Sequence, residues 1–277
     1  MGVLNVTPDS FSDGGQLPSP QAVVDRAAQL IADGADVLDL GGESTRPGAA
    51  AVSADEELAR VLPALEALRR AWPEVPVSID TYKADVADAA IERGADIVND
   101  VWGLMHGLSA ETRAGWRDGA GKLSPTPMAG VVARRRCPVI LMHNRPERNY
   151  GDFWADVLGD LRASLAVARA AGVEENQIWL DPGFGFAKNP AQNLEVLREL
   201  GRIVALGFPV LVGTSRKSTI GAVLGATVGD RIEGGGATVV WAIQRGCRMI
   251  RVHDVREMAR FARMADAIKA GLGFSPG

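Results

Sequence analysis

The feature that most constrains the fold of this chain is a repeated alternation of short apolar runs with helical stretches. The runs are rich in β-branched residues and mostly lack an alternation of apolar and polar positions, which is typical of parallel strands covered on both faces. The predicted strands are residues 3–6, 37–40, 77–80, 97–99, 139–143, 178–181, 210–213 and 249–253. Stretches rich in Ala, Leu, Arg and Glu predict helices at residues 21–33, 55–71, 84–93, 152–171, 191–200, 231–245 and 255–270.

Glycines mark the ends of several predicted helices, directly before the next strand. Examples are Gly34, Gly94, Gly207 and Gly246, and glycine suits the left-handed conformation that closes many helices. Strands and helices in strict alternation predict the α/β class. We expect a (β/α)8 TIM barrel forming a single domain over residues 1–277, with a doubly wound open sheet as the alternative.

One segment breaks this rhythm. Residues 102–136 are too long for a plain connection between a strand and a helix. Their middle part, residues 103–127, is rich in Gly, Ser and Pro, and only residues 128–136 look helical. We therefore predict a long surface insertion at 103–127, in the loop after strand 4.

Composition excludes several classes of function. The net charge of −4 gives no reason to expect nucleic acid or a membrane surface as a partner. No apolar run reaches the length of a transmembrane helix. Cys137 and Cys247 are far apart in sequence, so a disulfide framework is not expected and the chain is predicted to be cytoplasmic.

Polar residues cluster at the carboxyl ends of the predicted strands. Asn5, Asp80, Asn99, Asp181 and His253 all lie at or near such an end. Each alone would be explained by a turn or a helix cap. In a TIM barrel, however, these ends converge on one mouth, where the active site forms. Five polar residues at the same end predict a binding site there.

The chemistry of these side chains suggests a ligand class. Carboxylates and amides offer acceptors and donors that suit the edge of a flat heterocycle. Arg216, Lys217 and Arg251 bring positive charge to the same rim, where it would bind phosphate. Lys217 also stands at a predicted helix start, where a cation opposes the helix dipole, so a functional reason for it is favoured.

Eight short motifs then identify a family resemblance. They are NVTPDSFSDGG at 5–15, GGESTRPG at 41–48, SIDT at 78–81, IVND at 97–100, LMH at 141–143, DPGFGF at 181–186, SRKS at 215–218 and RVHD at 251–254. In this order they resemble the motifs of dihydropteroate synthases. The resemblance covers essentially the whole chain except residues 103–127.

The resemblance implies a set of substrate contacts. The pterin ring would be bound deep in the barrel by Asp80, Asn99, Met142, Asp181, Lys217 and Arg251. The p-aminobenzoate site, nearer the surface, would be formed by Thr45, Pro47, Phe186, Ser215 and Lys217. The pyrophosphate would be bound by Asn5, Arg46, Arg251 and His253.

The resemblance also implies a reaction and its helpers. A pterin pyrophosphate would condense with p-aminobenzoate, assisted by Mg²⁺ near Asn5 and Asp13. Catalytic roles would fall to Asp13, Arg46, Lys217, Arg251 and His253. The resemblance further implies a homodimer that binds small-molecule substrates. It also implies that the protein is a target of sulfonamides.

Two alternatives remain at this point. A pterin-barrel methyltransferase would share the ring contacts but needs neither the phosphate-binding loops nor the Ser215–Lys217 triplet. A barrel that binds pterin without catalysis should lose the loop residues first, yet Asp9, Asp13 and Arg46 are present. Ala187, where glycine is expected, departs from the family pattern on the arylamine side.

Overall fold

The computed structural model describes residues 1–7, 19–44, 51–117 and 124–273. Parallel strands and helices alternate along these ranges. The strands are β1 (Gly2–Asn5), β2 (Leu38–Gly41), β3 (Val77–Asp80), β4 (Ile97–Asp100), β5 (Val139–Met142), β6 (Ile178–Asp181), β7 (Leu211–Val212) and β8 (Met249–Ile250). The predicted strands are confirmed, with differences of a few residues at their ends.

The helices follow the strands and form the outer layer. They are α1 (Pro20–Ala32), α2 (Ala54–Ala71), α3 (Ala84–Glu92), α4 (Ala110–Arg117), α5 (Pro127–Arg135), α6 (Phe153–Ala171), α7 (Pro190–Arg198), α8 (Gly201–Val204), α9 (Ser218–Leu224), α10 (Ile232–Gln244) and α11 (Val255–Ala270). Short 3-10 turns lie at Glu175–Gln177 and Gly271–Gly273. No helix in the described ranges is both long and apolar enough to cross a membrane.

The sheet closes on itself. Strands β1 to β6 pair in chain order, and β7 pairs with β8. The two groups are joined by bridges between Leu180 and Val210 and between Gly2 and Val252. At the second junction the amide of Val3 donates to the carbonyl of Val252 at 2.9 Å. This closed, sequential order confirms the (β/α)8 barrel and excludes the open doubly wound sheet.

An apolar floor fills one end of the barrel interior. Met1, Val37, Ile140 and Leu211 form a small buried cluster, against which Ile97, Trp179 and Met249 pack. Side chains two residues apart on a strand point to the same face. The barrel therefore carries Asp39, Asn99, Met142, Asp181 and Arg251 directly above this floor, so the sequence pattern itself puts the polar layer at the carboxyl ends of the strands.

The segment after β4 differs from the prediction. It contains helix α4, which its composition did not indicate, and its Leu104, Met105 and Trp116 belong to the main hydrophobic core. Asp100 anchors its start by accepting hydrogen bonds from the amides of Trp102 and Leu104, at 2.8 and 2.7 Å. The prediction of a surface insertion at 103–127 is therefore wrong for the described part of the segment, which packs as part of the barrel.

Candidate active site

A cleft of about 370 Å³ opens at the carboxyl ends of the strands. Every strand, or the loop that follows it, contributes to its lining. In chain order the strand-end contributions are Asn5, Glu43, Asp80, Asn99, Met142, Asp181, Gly213 and Arg251. The loops add Phe186, Ser215, Arg216, Lys217 and His253. The cleft therefore combines a deep polar base with a cationic rim.

Arg251 organises the base of the cleft. Its Nε donates to a carboxylate oxygen of Asp39 at 2.5 Å, and its Nη2 donates to Asp80 at 2.6 Å. Asn99 donates from Nδ2 to both oxygens of Asp39, at 3.4 and 3.3 Å. Although burial opposes its charge, the two carboxylates raise the pKa of Arg251. The guanidinium thus stays charged and is held from two sides.

Asp80 and Asp181, two of the carboxylates that line the cleft, are buried. Burial raises the pKa of Asp80 to about 7, against the opposing effect of Arg251. Burial raises the pKa of Asp181 to about 6, although the amide of Gly183 donates to it at 2.7 Å. The Oδ1 atom of Asp80 has no hydrogen-bond partner among the described residues. Such an acceptor is costly to leave unpaired, so it favours a ligand that brings an N–H donor.

Lys217 and Phe186 form the outer wall. The Nζ of Lys217 lies 4.1 Å from the centre of the Phe186 ring, which is a cation–π contact. Glycine is required beside them: Gly185 has φ of +85°, and a Cβ there would lie 2.8 Å from Cδ of Lys217. This close approach places the aromatic face and the cation together at the mouth.

His253 and Arg216, which also line the rim, differ in their environment. The Nδ1 of His253 lies 3.0 Å from the hydroxyl of Ser215, which also accepts from the His253 amide at 3.1 Å. Arg216 forms an ion pair with Asp254 through its Nη2 at 2.6 Å. Part of the positive charge predicted for this rim is therefore neutralised by a neighbouring carboxylate.

The structure brings together most of the residues predicted from sequence. Asn5, Asp80, Asn99, Met142, Asp181, Phe186, Ser215, Lys217, Arg251 and His253 all line the one cleft. Asp13, Thr45, Arg46 and Pro47 lie outside the described residues. Sequence reasoning missed Asp39, the partner of Arg251, although a lone carboxylate inside an apolar strand was a detectable signal.

Only one of the two residues expected to bind Mg²⁺, Asn5, lies within the described ranges. Among the described residues, no group of three or more His, Cys, Asp or Glu side chains could hold a metal ion. Mg²⁺ is, however, commonly bound through one or two protein oxygens together with water and substrate phosphates. The side chain of Asn5 lines the cleft and carries such an amide oxygen, so the residue fits this mode of binding.

Comparison with known proteins agrees with this geometry. A family model described as pterin binding enzyme matches residues 1–253. The dihydropteroate synthase of Bacillus subtilis is 50% identical over 268 residues, which are 97% of this chain and 87% of the relative. The dihydropteroate synthase of Clostridium beijerinckii is 46% identical over 269 residues, covering 97% of this chain and 93% of the relative.

Solved structures give the same result. A Clostridium difficile dihydropteroate synthase, crystallised in the presence of pteroic acid, superposes with a TM-score of 0.87 and 45% identity over 97% of this chain and 95% of that one. A Xanthomonas albilineans dihydropteroate synthase with 4-aminobenzoic acid superposes with a TM-score of 0.85 and 40% identity over 98% of this chain and 92% of that one. This chain belongs to the dihydropteroate synthase family of pterin binding enzymes.

Proposed function

We propose that this chain is a transferase that condenses 6-hydroxymethyl-7,8-dihydropterin pyrophosphate with p-aminobenzoate. The products are 7,8-dihydropteroate and pyrophosphate, an intermediate and a by-product of folate biosynthesis. One observation carries the proposal: buried Asp80 and Asp181 share a single cleft with Arg251, Lys217 and the ring of Phe186. A donor-rich heterocycle, a phosphate group and an aromatic amine are the three partners that this combination suits.

The pterin ring occupies the base of the cleft in this proposal. Its amino group and adjacent ring N–H donate to the carboxylate of Asp181, while a second ring N–H reaches the unpaired Oδ1 of Asp80. A carboxylate facing two parallel donors is a strong, charge-assisted arrangement. Asn99, Met142 and Lys217 complete the pocket, and the planar guanidinium of Arg251 covers the ring.

The pyrophosphate and the arylamine lie toward the mouth. Asn5, Arg251 and His253 bind the pyrophosphate from the rim, and the family resemblance adds Arg46 to this set. The benzoate ring packs on Phe186, with Ser215 and Lys217 near its carboxylate. The family resemblance adds Thr45 and Pro47 to the arylamine contacts.

In this proposal the role of the protein in the reaction is electrostatic. The C–O bond to pyrophosphate breaks at the methylene carbon, the arylamine nitrogen bonds to that carbon, and the nitrogen loses a proton to solvent. Arg251 and His253 stabilise the charge that develops on the leaving oxygens. Lys217 and Phe186 orient the amine. No side chain acts as a covalent nucleophile, and Asp13 stabilises positive charge on the pterin methylene.

Mg²⁺ enters the proposal at the pyrophosphate. Asn5 and Asp13 would hold the ion, which would neutralise charge on the leaving group. Removing Mg²⁺ with a chelator is expected to abolish turnover and to leave binding of a pterin without phosphates unchanged.

The proposed partner is a second copy of this chain. Helices α10 and α11 carry large exposed apolar side chains, among them Trp241, Met264 and Ile268, and exposed patches of this kind often mark interfaces. We expect a homodimer by sedimentation, converted to a monomer by Met264→Glu with Ile268→Glu. Both cysteines are free and buried, which is compatible with a reducing cytoplasm.

The proposed activity has a direct test. Pyrophosphate release is measured with both substrates and Mg²⁺, and then with either substrate omitted. Pyrophosphate formed at the same rate as dihydropteroate, and only with both substrates, is the expected result. Pterin binding by calorimetry without any turnover would instead identify a non-catalytic pterin-binding barrel.

A further inference from the structure

A buried lysine lies behind the proposed arylamine wall, outside the set of residues that line the cleft. Lys188 follows the DPGFGF motif and is only 3% exposed. Its Nζ donates to the carbonyls of Gly183 and Phe186, both at 3.2 Å. Its third neighbour is Nδ1 of His143, at 2.8 Å. Burial lowers the pKa of Lys188 to about 7, although the nearby carboxylates of Asp181 and Asp160 oppose the change. When protonated, the group carries three donors, and these three acceptors satisfy them.

The histidine in this contact is an acceptor. Burial lowers the pKa of His143 to about 4, with a further contribution from Lys188, so the ring is neutral near pH 7. Its Nε2 lies 3.1 Å from Oδ2 of Asp160. Since a carboxylate only accepts, Nε2 carries the proton and Nδ1 is left to accept from Lys188. Arg145 also donates to Asp160, at 2.5 Å, which holds the carboxylate in place.

The loop fastened by this lysine has an unusual backbone. Gly183, Gly185 and Ala187 all have positive φ, at +67°, +85° and +47°. A Cβ on Gly183 would lie 1.9 Å from the carbonyl oxygen of His143, so the loop rests directly on the end of β5. The hydroxyl of Tyr150 donates to the carbonyl of Ala187 at 3.0 Å. Such conformations persist only where surrounding contacts fix them.

We propose that Lys188 is a positioning residue for the arylamine site: its buried ammonium ties the carbonyls of Gly183 and Phe186 to His143 and so fixes the ring of Phe186 against Lys217. This inference rests on the proposed function. It assigns Lys188 no contact with substrate, and its effect passes through the backbone of the loop. The pterin site depends on it less, because Asp181 is also fixed by the pairing of β5 with β6. The two sites do share a contact at Gly183, whose amide donates to Asp181 and whose carbonyl accepts from Lys188.

The test uses Lys188→Met, which keeps the aliphatic stem and removes all three donors. Two constants are measured in this variant and in the parent: the Michaelis constant for p-aminobenzoate and the dissociation constant for pterin. The Michaelis constant for p-aminobenzoate should rise about tenfold or more, as expected when charged hydrogen bonds are lost. The dissociation constant for a pterin without phosphates should change less than about twofold. A core variant remote from the loop, Leu68→Ala, is the control for lost stability and should leave both constants unchanged.

Variants of His143 separate positioning from a general structural role. His143→Asn retains an amide oxygen near the position of Nδ1 and should stay close to the parent in its constant for p-aminobenzoate. His143→Leu removes one of the three acceptors of Lys188 and should raise the constant in the same direction as Lys188→Met, but by less. Because His143 acts on the loop through Lys188, the double variant should lose no more than Lys188→Met alone.

The outcomes are distinct. Equal weakening of pterin and p-aminobenzoate in Lys188→Met, or an unchanged Michaelis constant, overturns the proposal. If Lys188→Met does not fold, Lys188→Gln is judged by the same two constants. Absence of turnover in the parent enzyme would count against the proposed function itself, whereas an active parent with an unaffected Lys188 variant counts against this inference alone.

Discussion

Arg251 and Asp39 form an ion pair across the interior of the barrel, joining β8 to β2 with an Nε to oxygen distance of 2.5 Å. Asp39 is fully buried and absent from the lining of the cleft. Its function is therefore to hold the guanidinium that also donates to Asp80. Removing one partner of such a pair leaves an unpaired buried charge. The loss of stability is then larger than the net stabilisation that the intact pair provides.

Replacement of this carboxylate gives a first prediction. Asp39→Asn keeps an acceptor for Arg251 but removes a charge-assisted bond that contributes roughly 1.5–3 kcal/mol. We expect kcat/KM for the pterin pyrophosphate to fall about tenfold or more, with the fold retained. Asp39→Ala should also lower the free energy of unfolding, measured in urea. Parent-like kinetics in a folded Asp39→Asn protein would contradict the positioning role of Asp39.

The buried carboxylate of Asp181 gives a second prediction, in which stability and binding move in opposite directions. Its pKa is raised by burial from 3.8 to about 6, and each pH unit corresponds to about 1.4 kcal/mol. Holding it ionised therefore costs the folded protein roughly 3 kcal/mol above about pH 6. Asp181→Asn should be at least as stable as the parent at about pH 8, yet bind pterin at least about tenfold more weakly.

The pH dependence of that comparison follows from proton binding. A raised folded pKa means that the native state binds more protons than the unfolded state between about pH 4 and pH 6. The stability of the parent relative to Asp181→Asn should therefore fall as pH rises through this window and then level off. Urea unfolding of both proteins at about pH 4.5 and pH 8 measures the difference. If the parent is more stable than Asp181→Asn at about pH 8, the ionised carboxylate does not destabilise the folded protein, and the prediction is wrong.

The sequence predicts those site residues whose position depends only on the strand that carries them. It does not predict those whose role depends on a partner distant in sequence. Asp80, Asn99 and Asp181 were predictable because the ends of parallel strands converge, whatever the rest of the barrel does. Asp39 was detectable only as a lone carboxylate in an apolar strand, and the roles of Asp39 and Lys188 were not predictable, because they depend on partners 212 and 45 residues away in sequence. Neither partner is implied by spacing along the chain.

The same reasoning explains the segment after β4. Its Gly, Ser and Pro content predicted irregular structure, but a helix of marginal propensity is stabilised when it packs on a neighbour. Trp116 enters the core from α4, and Arg117 reaches Asp156 on α6 at 3.2 Å. Tertiary contacts of this kind leave no periodic signal in a short, glycine-containing helix.

Helix α4 gives the third prediction. Trp116 is 8% exposed and packed in the main core, so Trp116→Ala should lower the free energy of unfolding by about 3–5 kcal/mol. Trp241 is 43% exposed on α10 and donates to the carbonyl of Leu197. In the monomeric background of Met264→Glu with Ile268→Glu, Trp241→Ala should cost only about 1 kcal/mol. Similar losses in the two variants would show that α4 is peripheral after all. Pterin affinity should be unchanged in both.

The last prediction concerns the order of binding. Asn5 and Ser44 line the cleft, and each lies shortly before one of the segments, 8–18 and 45–50, that carry the remaining residues proposed for pyrophosphate and arylamine. The same two segments would thus bind the phosphates and wall the benzoate ring. We therefore expect p-aminobenzoate, or a sulfonamide mimic, to bind measurably only after pterin, pyrophosphate and Mg²⁺ are present.

Arg46→Ala distinguishes this ordered scheme from independent subsites. Loss of the arginine should weaken pyrophosphate binding and, through it, arylamine binding, while a simple pterin at the base of the barrel keeps nearly its parent affinity. Calorimetry with each ligand, alone and with the others present, measures the coupling. Equal affinity of p-aminobenzoate for the free enzyme and for the pterin, pyrophosphate and Mg²⁺ complex would refute the order. Parallel loss of pterin and arylamine binding would instead make Arg46 a structural residue.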